Sequence, residues 1–230
     1  MPMSRLVGIR ACVFDAYGTL FDVNSAAAHA KDDLGDKWLP LAETWRAKQL
    51  QYTWLRSLMG RHADFWQVTR DALDFAMASF HLDDSALRER LMGLYLNLEA
   101  YPEVKSTLTH LKQTGMKLAI LSNGSPSMLR SAVAHSSLES VFQVVLSVEE
   151  AGVFKPHPSV YQLATHSFGV RPEEICFVSS NGWDACGAKA FGFRVLWCNR
   201  LRQPSERIPE HPDGEIRTLA ELPDIVRPFN

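Results

Sequence analysis

The chain has 230 residues, of which 46% are hydrophobic and 22% are charged. This composition is typical of a globular protein with enough apolar material for a sizeable core. The formal net charge of -2 gives no general attraction to nucleic acid or to an anionic membrane surface. We therefore expect neither as a partner.

The amino terminus contains no apolar segment followed by a small-residue cleavage site, and no window approaches about 18 apolar residues. The sequence therefore predicts a cytoplasmic protein. The cysteines share no metal-ligand spacing, and three of them lie in or beside apolar strand-like runs. We interpret all of them as buried structural thiols. They are Cys12, Cys176, Cys186 and Cys198.

Five short apolar runs are predicted to be strands. They cover residues 11–14, 116–121, 142–146, 175–178 and 193–197. Their hydrophobicity is nearly continuous, as in a parallel sheet that is covered on both faces. The last four runs begin about 18 to 33 residues apart, which leaves room for a crossover helix between neighbours. The sequence therefore predicts an α/β fold with a parallel-sheet core.

Residues 23–98 show helical periodicity and no convincing strand. Four leucines form one apolar stripe on a helix that Asp84 or Ser85 could cap. These leucines are Leu87, Leu91, Leu94 and Leu98. A second helix is predicted over 40–59, and its apolar residues on more than one face indicate burial against another domain or subunit.

The predicted domain organisation follows from this contrast between the two kinds of segment. A helical domain over 23–98 is inserted into a core domain made of 1–22 and 99–230. The proline-rich stretch 202–213 is predicted to be a surface loop.

Polar side chains follow the predicted strands, at the edge where ligands bind in open parallel sheets. They include Asp15, Thr19, Ser122, Asn123, Lys155, Ser179, Asn181 and Asp184. A carboxylate placed directly after four apolar residues is costly to desolvate unless it meets cations or hydrogen-bond donors. We therefore interpret Asp15 as the centre of a site, against the simpler role of capping the turn around Gly18.

Other residues near the strand ends have simpler structural explanations that stay open here. Lys155 could be an ordinary solvated lysine, and Thr19 and Ser122 could end a strand or start a helix. Ser125 followed by Pro126 predicts an N-cap and the first helical residue. Pro156 is suited to the first turn of the helix that follows the third strand.

Five segments in order along the chain resemble the haloacid dehalogenase superfamily, and within it the L-2-haloacid dehalogenases. They are Phe-Asp-Ala-Tyr-Gly-Thr-Leu at 14–20, Trp-Arg-Ala-Lys-Gln-Leu at 45–50, Leu-Ser-Asn-Gly at 121–124, Phe-Lys-Pro at 154–156 with Tyr161, and Phe-Val-Ser-Ser-Asn-Gly-Trp-Asp at 177–184. The resemblance covers essentially the whole length. It implies a Rossmann-like core, a helical cap domain and commonly a homodimer.

Most members of that superfamily are magnesium-dependent phosphatases, and two positions argue against that activity. Those enzymes have an acid–base Asp two residues after the nucleophile, whereas this chain has Tyr17, a poor base near neutral pH with an unperturbed pKa of about 10. They also have a metal-binding Asp after the fourth strand, where this chain has Ser179 and Ser180, poor ligands for Mg²⁺. We expect no metal and no cofactor, and keep the phosphatase as the alternative function.

The resemblance implies hydrolysis of short (S)-2-haloacids to (R)-2-hydroxyacids and halide. Asp15 would displace the halide and form an ester with the substrate, which water then hydrolyses. Lys155 would hold Asp15 ionised, and Asp184 and Asn181 would position the water. Thr19 and Ser179 would support the two acids by hydrogen bonds.

The resemblance also implies a set of substrate-binding residues. Ser122 and backbone amides near Tyr17 would bind the substrate carboxylate, and Arg46, Asn123 and Trp183 would receive the halide. The remaining members are Tyr161, which would orient Lys155 or Asp15, and the pocket-lining Leu50 and Phe65.

Several of these residues have alternative roles. Arg46 could be a solvated residue on an amphipathic helix, Trp183 could serve packing alone, and Leu50 and Phe65 could belong to the core of the cap. A noncatalytic binding protein of the same fold is a third hypothesis. It has little support, because such a protein would not need the acids, the lysine and the serine together.

Overall fold

The computed structural model describes residues 5–228. Residues 1–4 of the predicted core segment 1–22, and residues 229–230 of the segment 99–230, lie outside this range. Six parallel strands form the main sheet in the order β4-β3-β2-β5-β6-β7, and β1 pairs with β8 in a separate two-stranded parallel sheet. The strands are β1 (Leu6–Ile9), β2 (Ala11–Phe14), β3 (Lys117–Ser122), β4 (Val144–Ser147), β5 (Ile175–Ser179), β6 (Arg194–Cys198), β7 (Gly214–Ile216) and β8 (Val226–Pro228).

The five predicted strands are all present, as β2 to β6. The bounds of β2 agree with the prediction, β5 is one residue longer, and the others begin one or two residues later than predicted. β2 lies in the centre of the sheet, pairs with β3 and β5 on its two sides, and is completely buried. A strand in that position has no solvated face, which is why its sequence is continuously apolar.

The helices divide into two groups by their place in the chain. The helices are α1 (Ser25–His29), α2 (Lys31–Leu34), α3 (Trp38–Leu58), α4 (Phe65–Ser79), α5 (Ser85–Leu96), α6 (Val104–Gln113), α7 (Pro126–His135), α8 (Pro158–Phe168), α9 (Gly182–Phe191) and α10 (Leu222–Ile225). Five of them, α1 to α5, form a helical segment after β2, and four others, α6 to α9, each directly precede β3 or connect successive strands of the main sheet. This alternation of strands and helices is that of a doubly wound α/β fold.

The helical segment after β2 contains the predicted periodic helices. Asp84 caps α5 by accepting a hydrogen bond from the backbone of Leu87 at 2.9 Å, as proposed for Asp84 or Ser85. Of the leucine stripe, Leu94 is half-buried and the others are buried. Leu98, which was predicted to lie on the same helix, lies beyond its end at Leu96. The predicted helix 40–59 is α3, and it begins and ends slightly earlier.

One helix start differs from its prediction. Ser125 caps α7 with Pro126 in its first turn, as predicted. Pro156, however, was wrongly predicted to open the helix after the third strand. That helix begins at Pro158 with His157 as its N-cap, because a second proline two residues on takes the first helical position.

Other predictions from composition are matched by the structure. All four cysteines are buried and free, and residues 202–213 form a loop. Within residues 5–228, no helix is long and apolar enough to cross a membrane.

Candidate active site

The carboxyl ends of three central strands bring the predicted polar residues to one edge of the sheet. Asp15 follows β2 and donates its backbone N–H to the carbonyl of Val178 in β5, at 3.0 Å. The turn after Asp15 contains Gly18 with a φ of 90°, a conformation that residues with a side chain rarely adopt. Ser122 ends β3 and Ser179 ends β5.

A buried lysine joins two carboxylates at this edge. Lys155 donates from Nζ to Asp15 Oδ1 at 3.0 Å and to Asp184 Oδ2 at 2.9 Å. Burial lowers the pKa of Lys155, but the two carboxylates raise it more, and the net result is a pKa above the usual value. Lys155 is therefore a cation at neutral pH, and it offsets the repulsion between the acids.

Asp184 and Tyr161 lie behind this lysine. The Tyr161 hydroxyl donates to Asp184 Oδ1 at 2.8 Å, so both oxygens of Asp184 already have a partner. Burial, followed by repulsion from Asp15, raises the pKa of Asp184 against the lowering effect of Lys155. Both residues are completely buried, and we infer that they fix the position of Lys155.

The second oxygen of Asp15 is held by residues from two loops. Asn181 Nδ2 donates to Asp15 Oδ2 at 2.9 Å, and the Thr19 hydroxyl lies 3.1 Å from the same oxygen. Thr19 Oγ1 also accepts the backbone N–H of Ser180 at 2.8 Å. Ser179 is buried beneath this loop, and its Oγ accepts the backbone N–H of Asn181 at 3.2 Å. Both oxygens of the Asp15 carboxylate are thus held by hydrogen bonds, one by Lys155 and the other by Asn181 and Thr19.

Arg46 reaches the same edge from helix α3. Its Nη2 donates to the backbone carbonyl of Tyr17 and to Asn181 Oδ1, both at 3.3 Å, and its Nη1 donates to Gln49 Oε1 at 2.7 Å. Arg46 and Asn181 therefore join the helical segment to the strand ends.

A small cavity lies between α3 and the ends of the strands. Its volume is about 10 Å³, which is close to the room that one water molecule needs. The lining includes every predicted substrate-binding residue except Tyr161, together with the acid and amide at the centre. The lining residues are Asp15, Tyr17, Arg46, Leu50, Phe65, Ser122, Asn123, Asn181 and Trp183.

The loop after β3 is fixed by hydrogen bonds to neighbouring residues. Ser122 Oγ accepts the backbone N–H of Gly124 at 3.1 Å, and the hydroxyl of Ser147 donates to the carbonyl of Gly124 at 2.7 Å. Asn123 Oδ1 accepts the backbone N–H of Lys155 at 3.1 Å. Ser122 and Asn123 therefore face the cavity from a loop that two neighbouring segments hold in place.

Tyr17 forms part of an aromatic wall. Its ring stacks on Tyr95 with centroids 5.7 Å apart and packs against Phe65 at 5.6 Å. Burial raises the pKa of Tyr17 well above its ordinary value, so the phenol stays neutral and cannot act as a general base near neutral pH. A Cβ at Gly124 would lie 2.7 Å from the Tyr17 ring, so the glycine leaves room for it.

Trp183 closes the cavity from the start of α9. Its ring meets that of Trp54 in α3 edge to face, with centroids 5.3 Å apart. Trp183 thus has the packing contact that the simpler explanation requires, and it also lines the cavity.

Three residues of the site were not found from the sequence. Gln49, Thr69 and Tyr95 form a hydrogen-bonded group behind Arg46. The available signal was that Gln49 lies three residues after Arg46, which places the two side chains on the same face of a helix.

The carboxylates at this edge are arranged around a lysine. The two acids share Lys155 as their hydrogen-bonded cation. Across residues 5–228, no group of three or more His, Cys, Asp and Glu side chains could hold a metal ion. A carboxylate held by a cation, next to further donors and a small cavity, suits nucleophilic displacement on an anionic substrate.

Comparisons with known proteins agree with this geometry. Residues 9–192 match the family model of the haloacid dehalogenase-like hydrolases. (S)-2-haloacid dehalogenase 1 of Pseudomonas sp. (strain CBS-3) is 48% identical over 219 residues, covering 95% of this chain and 96% of the relative.

Two solved structures are similar over nearly the whole chain. A dehalogenase crystal structure with an intermediate complex has 44% identity and a TM-score of 0.93, covering 95% of this chain and 97% of that chain. The L-2-haloacid dehalogenase of Xanthobacter autotrophicus with chloropropionic acid covalently bound has 40% identity and a TM-score of 0.88, covering 94% and 97%. The chain belongs to the haloacid dehalogenase-like hydrolases, in the family of the (S)-2-haloacid dehalogenases.

Proposed function

We propose that this chain hydrolyses short (S)-2-haloacids to (R)-2-hydroxyacids and halide through an ester on Asp15, without a metal ion. The observation that carries this proposal is the lining of the cavity, in which Asp15 is the one carboxylate among the nine lining residues. A halide leaves as a stable anion and needs no general acid. The neutral phenol of Tyr17 is therefore compatible with dehalogenation, whereas it could not replace the acid–base Asp of a phosphatase.

The first step is a displacement at C2 of the substrate. An oxygen of Asp15 forms a bond to C2 from the side opposite the halogen, and the carbon–halogen bond breaks with its electron pair going to the halide. The configuration at C2 inverts. Lys155 keeps Asp15 ionised, and Asn181 and Thr19 hold its orientation, so the nucleophile needs little rearrangement before attack.

The second step is hydrolysis of the ester. Water adds to the carboxyl carbon of Asp15. The bond between that carbon and the ester oxygen then breaks, the ester oxygen leaves with the product, and one proton of the water converts it to the product hydroxyl. The other proton is released to solvent, and Asp15 is restored. We assign the positioning of this water to Asn181. Asp184 lies behind Lys155 and contributes by holding that lysine in place. The relative solved with chloropropionic acid covalently bound supports such an ester.

Substrate binding needs donors, because two carboxylates repel each other at a few ångströms. We assign Ser122 and backbone amides near Tyr17 to the substrate carboxylate, and Arg46 with Asn123 and Trp183 to the halide. Leu50 and Phe65 form the apolar wall around the substituent on C2. Tyr161 acts through Asp184, and Ser179 supports the Asn181 loop.

We also propose that residues 23–98 act as a cap domain over a core of 1–22 and 99–230, and that the cytoplasmic protein is a homodimer. An exposed apolar patch on the cap supports the dimer. We call this patch the α3 apolar patch. It consists of the exposed Leu55, Leu58, Met59 and Phe75 with the half-buried Tyr52, and Leu58 is 85% exposed. A large exposed apolar surface marks an interaction site more often than a free surface.

The decisive experiment measures halide release from racemic 2-chloropropionate after exhaustive chelation of divalent metals. We expect undiminished release, conversion of about half of the racemate, and D-lactate as the product, because a single displacement inverts C2. Phosphate release from small phosphate esters is the competing assay. Activity that returns only with magnesium, or L-lactate formed from the L substrate, would contradict the proposal.

A further inference from the structure

Gln49 contacts Arg46 from one turn further along helix α3. Its Oε1 accepts from Arg46 Nη1 at 2.7 Å and from the Tyr95 hydroxyl at 3.1 Å. Its Nε2 donates to Thr69 Oγ1 at 2.7 Å. Gln49 is only 1% exposed, so a group of this polarity requires partners for both ends of its amide.

The chemistry of the neighbours fixes which way this amide points. Arg46 can only donate hydrogen bonds, so the atom that faces it must be the carbonyl oxygen. The NH₂ group then faces Thr69, whose own hydroxyl donates to the carbonyl of Phe65 at 2.6 Å. Arg46, Thr69 and Tyr95 therefore all support the same orientation of the Gln49 amide. Its carbonyl oxygen is held against Arg46 by contacts from Thr69 in α4 and Tyr95 in α5.

All of the described hydrogen bonds of Arg46 end on neutral oxygens. They are the side-chain carbonyl of Gln49, the backbone carbonyl of Tyr17 and the amide of Asn181. A carboxylate in place of the Gln49 amide would hold the guanidinium of Arg46 equally well, but its negative charge would cancel most of the electric field of Arg46 inside the cavity. An amide fixes the direction of the guanidinium and leaves its charge available.

We propose that Gln49 is a positioning residue that aims Arg46 into the cavity while leaving its full charge for the departing halide. This inference rests on the halide role of Arg46 in the proposed function. The halide gains negative charge as the carbon–halogen bond breaks, so a correctly aimed cation acts more on the transition state than on the bound substrate. Chloride needs this help more than bromide, because it is the poorer leaving group.

The test compares single-turnover rates for L-2-chloropropionate and L-2-bromopropionate, together with inhibition by free chloride. Gln49→Glu keeps an acceptor but adds a negative charge, and Gln49→Met removes the acceptor at similar volume. Arg46→Ala is the reference variant. Gln51→Glu is the matched control, because Gln51 is exposed on the same helix and contacts Lys48.

We expect Arg46→Ala to slow the chloride reaction about 10- to 150-fold. Gln49→Glu and Gln49→Met should each slow it by about 10-fold or more, with a smaller effect on bromide and weaker chloride inhibition. Gln51→Glu should behave as the unaltered chain. Thr69→Val removes the acceptor of the Gln49 NH₂ group, so it should lower the ratio of the chloride rate to the bromide rate as the Gln49 variants do. This variant replaces the Gln49 variants if they fail to fold.

The outcomes separate the two levels of the proposal. If Arg46→Ala slows both halides equally, the halide role of Arg46 is wrong and the proposed function needs another halide site. If Arg46→Ala changes the ratio but folded variants at Gln49 leave it within twofold of the unaltered chain, the inference about Gln49 is wrong. Equal slowing of both halides by the Gln49 variants, with a lowered melting temperature, also overturns it, because that result is structural.

Discussion

At the scale of single residues, Lys155 governs the charge of the site. It lies between Asp15 and Asp184, and the three groups together carry one net negative charge when all are ionised. Removing one member of such a buried group costs about 3–5 kcal/mol, because the remaining charges lose their compensation. Substitutions of Lys155 are therefore poor probes of chemistry, and subtler measurements are needed.

The ester route predicts where isotopic oxygen first appears. In a single turnover in oxygen-18 water, the label should enter the carboxylate of Asp15 before the hydroxyl of the product, because water attacks the ester carbonyl. Asp15→Asn should abolish turnover. The measurement is mass spectrometry of the Asp15 peptide and of the lactate. Label found at once in stoichiometric lactate, with none in the peptide, would mean direct attack by water.

The raised pKa of Lys155 predicts a broad alkaline range of activity. A folded-state pKa above the unfolded value of 10.5 means that the stabilisation from this cation is complete below about pH 10.5 and is lost as the pH rises through the folded value. Activity and melting temperature should therefore stay level from pH 7 to about pH 10.

A variant tests the sign of this effect. Asp184→Asn removes one of the two carboxylates that raise the pKa of Lys155, so the alkaline loss of stability should begin at a lower pH. Thermal unfolding from pH 7 to 11 gives the comparison. A loss of stability that sets in well below pH 10 and does not move in the variant would assign the titration to another group.

The sequence predicted the residues at the strand ends but not the groups behind them. Asp15, Lys155 and Asn181 were found because charge or polarity directly after a buried run requires an explanation. Tyr161 and Asp184 were also found, but they lie behind Lys155 rather than in the cavity. Gln49 was missed because its role depends on which face of α3 meets α4 and α5, and helical periodicity does not encode the neighbour.

At the scale of elements, α3 has two faces with different surroundings. One face carries Arg46 and Leu50 into the cavity, and the other carries Leu55 and Leu58 to the surface. The sequence showed that α3 is apolar on more than one side, and we expected burial against another domain or subunit. In the single chain that expectation holds for one side, whereas the outward side stays exposed.

The position of Leu50 predicts control of substrate length. Its side chain lines a cavity with a volume of about 10 Å³, so Leu50→Ala should admit longer substituents on C2. We expect the kcat/KM for 2-bromohexanoate relative to 2-bromopropionate to rise by at least about 10-fold, because the substrates differ by three methylene groups and a single one in an apolar pocket can contribute that much.

The same helix supplies the control for this prediction. Leu55→Ala makes the same change at a residue that is 42% exposed, and it should leave the ratio unaltered. Steady-state kinetics with both substrates measures the ratio. Equal ratios in the two variants would place Leu50 outside the path of the substituent.

The strands show which elements a sequence can specify. β2 to β6 were predicted because continuous apolar runs mark strands that are buried on both faces. β1, β7 and β8 were missed because they are short and are not part of a buried apolar run: β1 and β7 each bury only one residue, Ile9 and Ile216. Such short strands are defined by their partners, since β1 pairs with β8 across almost the whole length of the chain.

At the scale of the whole molecule, the α3 apolar patch predicts the dimer contact. Leu58→Lys should shift the protein from dimer to monomer, because burying an unpaired ammonium in an apolar interface is costly. Leu201→Lys is the control, since Leu201 is 75% exposed in the loop after β6. Sedimentation velocity measures both. A monomeric unaltered chain, or an intact dimer in the Leu58 variant, would contradict the assignment.

The central position of β2 has a consequence for biosynthesis. The strand that carries the nucleophile is among the first segments to leave the ribosome, yet its partner β5 and Asn181, which donates to Asp15, are translated more than 160 residues later. At about 5–20 residues per second, this delay lasts on the order of 10–30 s. Until β3 is translated the apolar strand β2 has no partner, and until β5 is translated one of its two edges stays unpaired. We therefore expect β2 to be a chaperone-binding segment of the nascent chain.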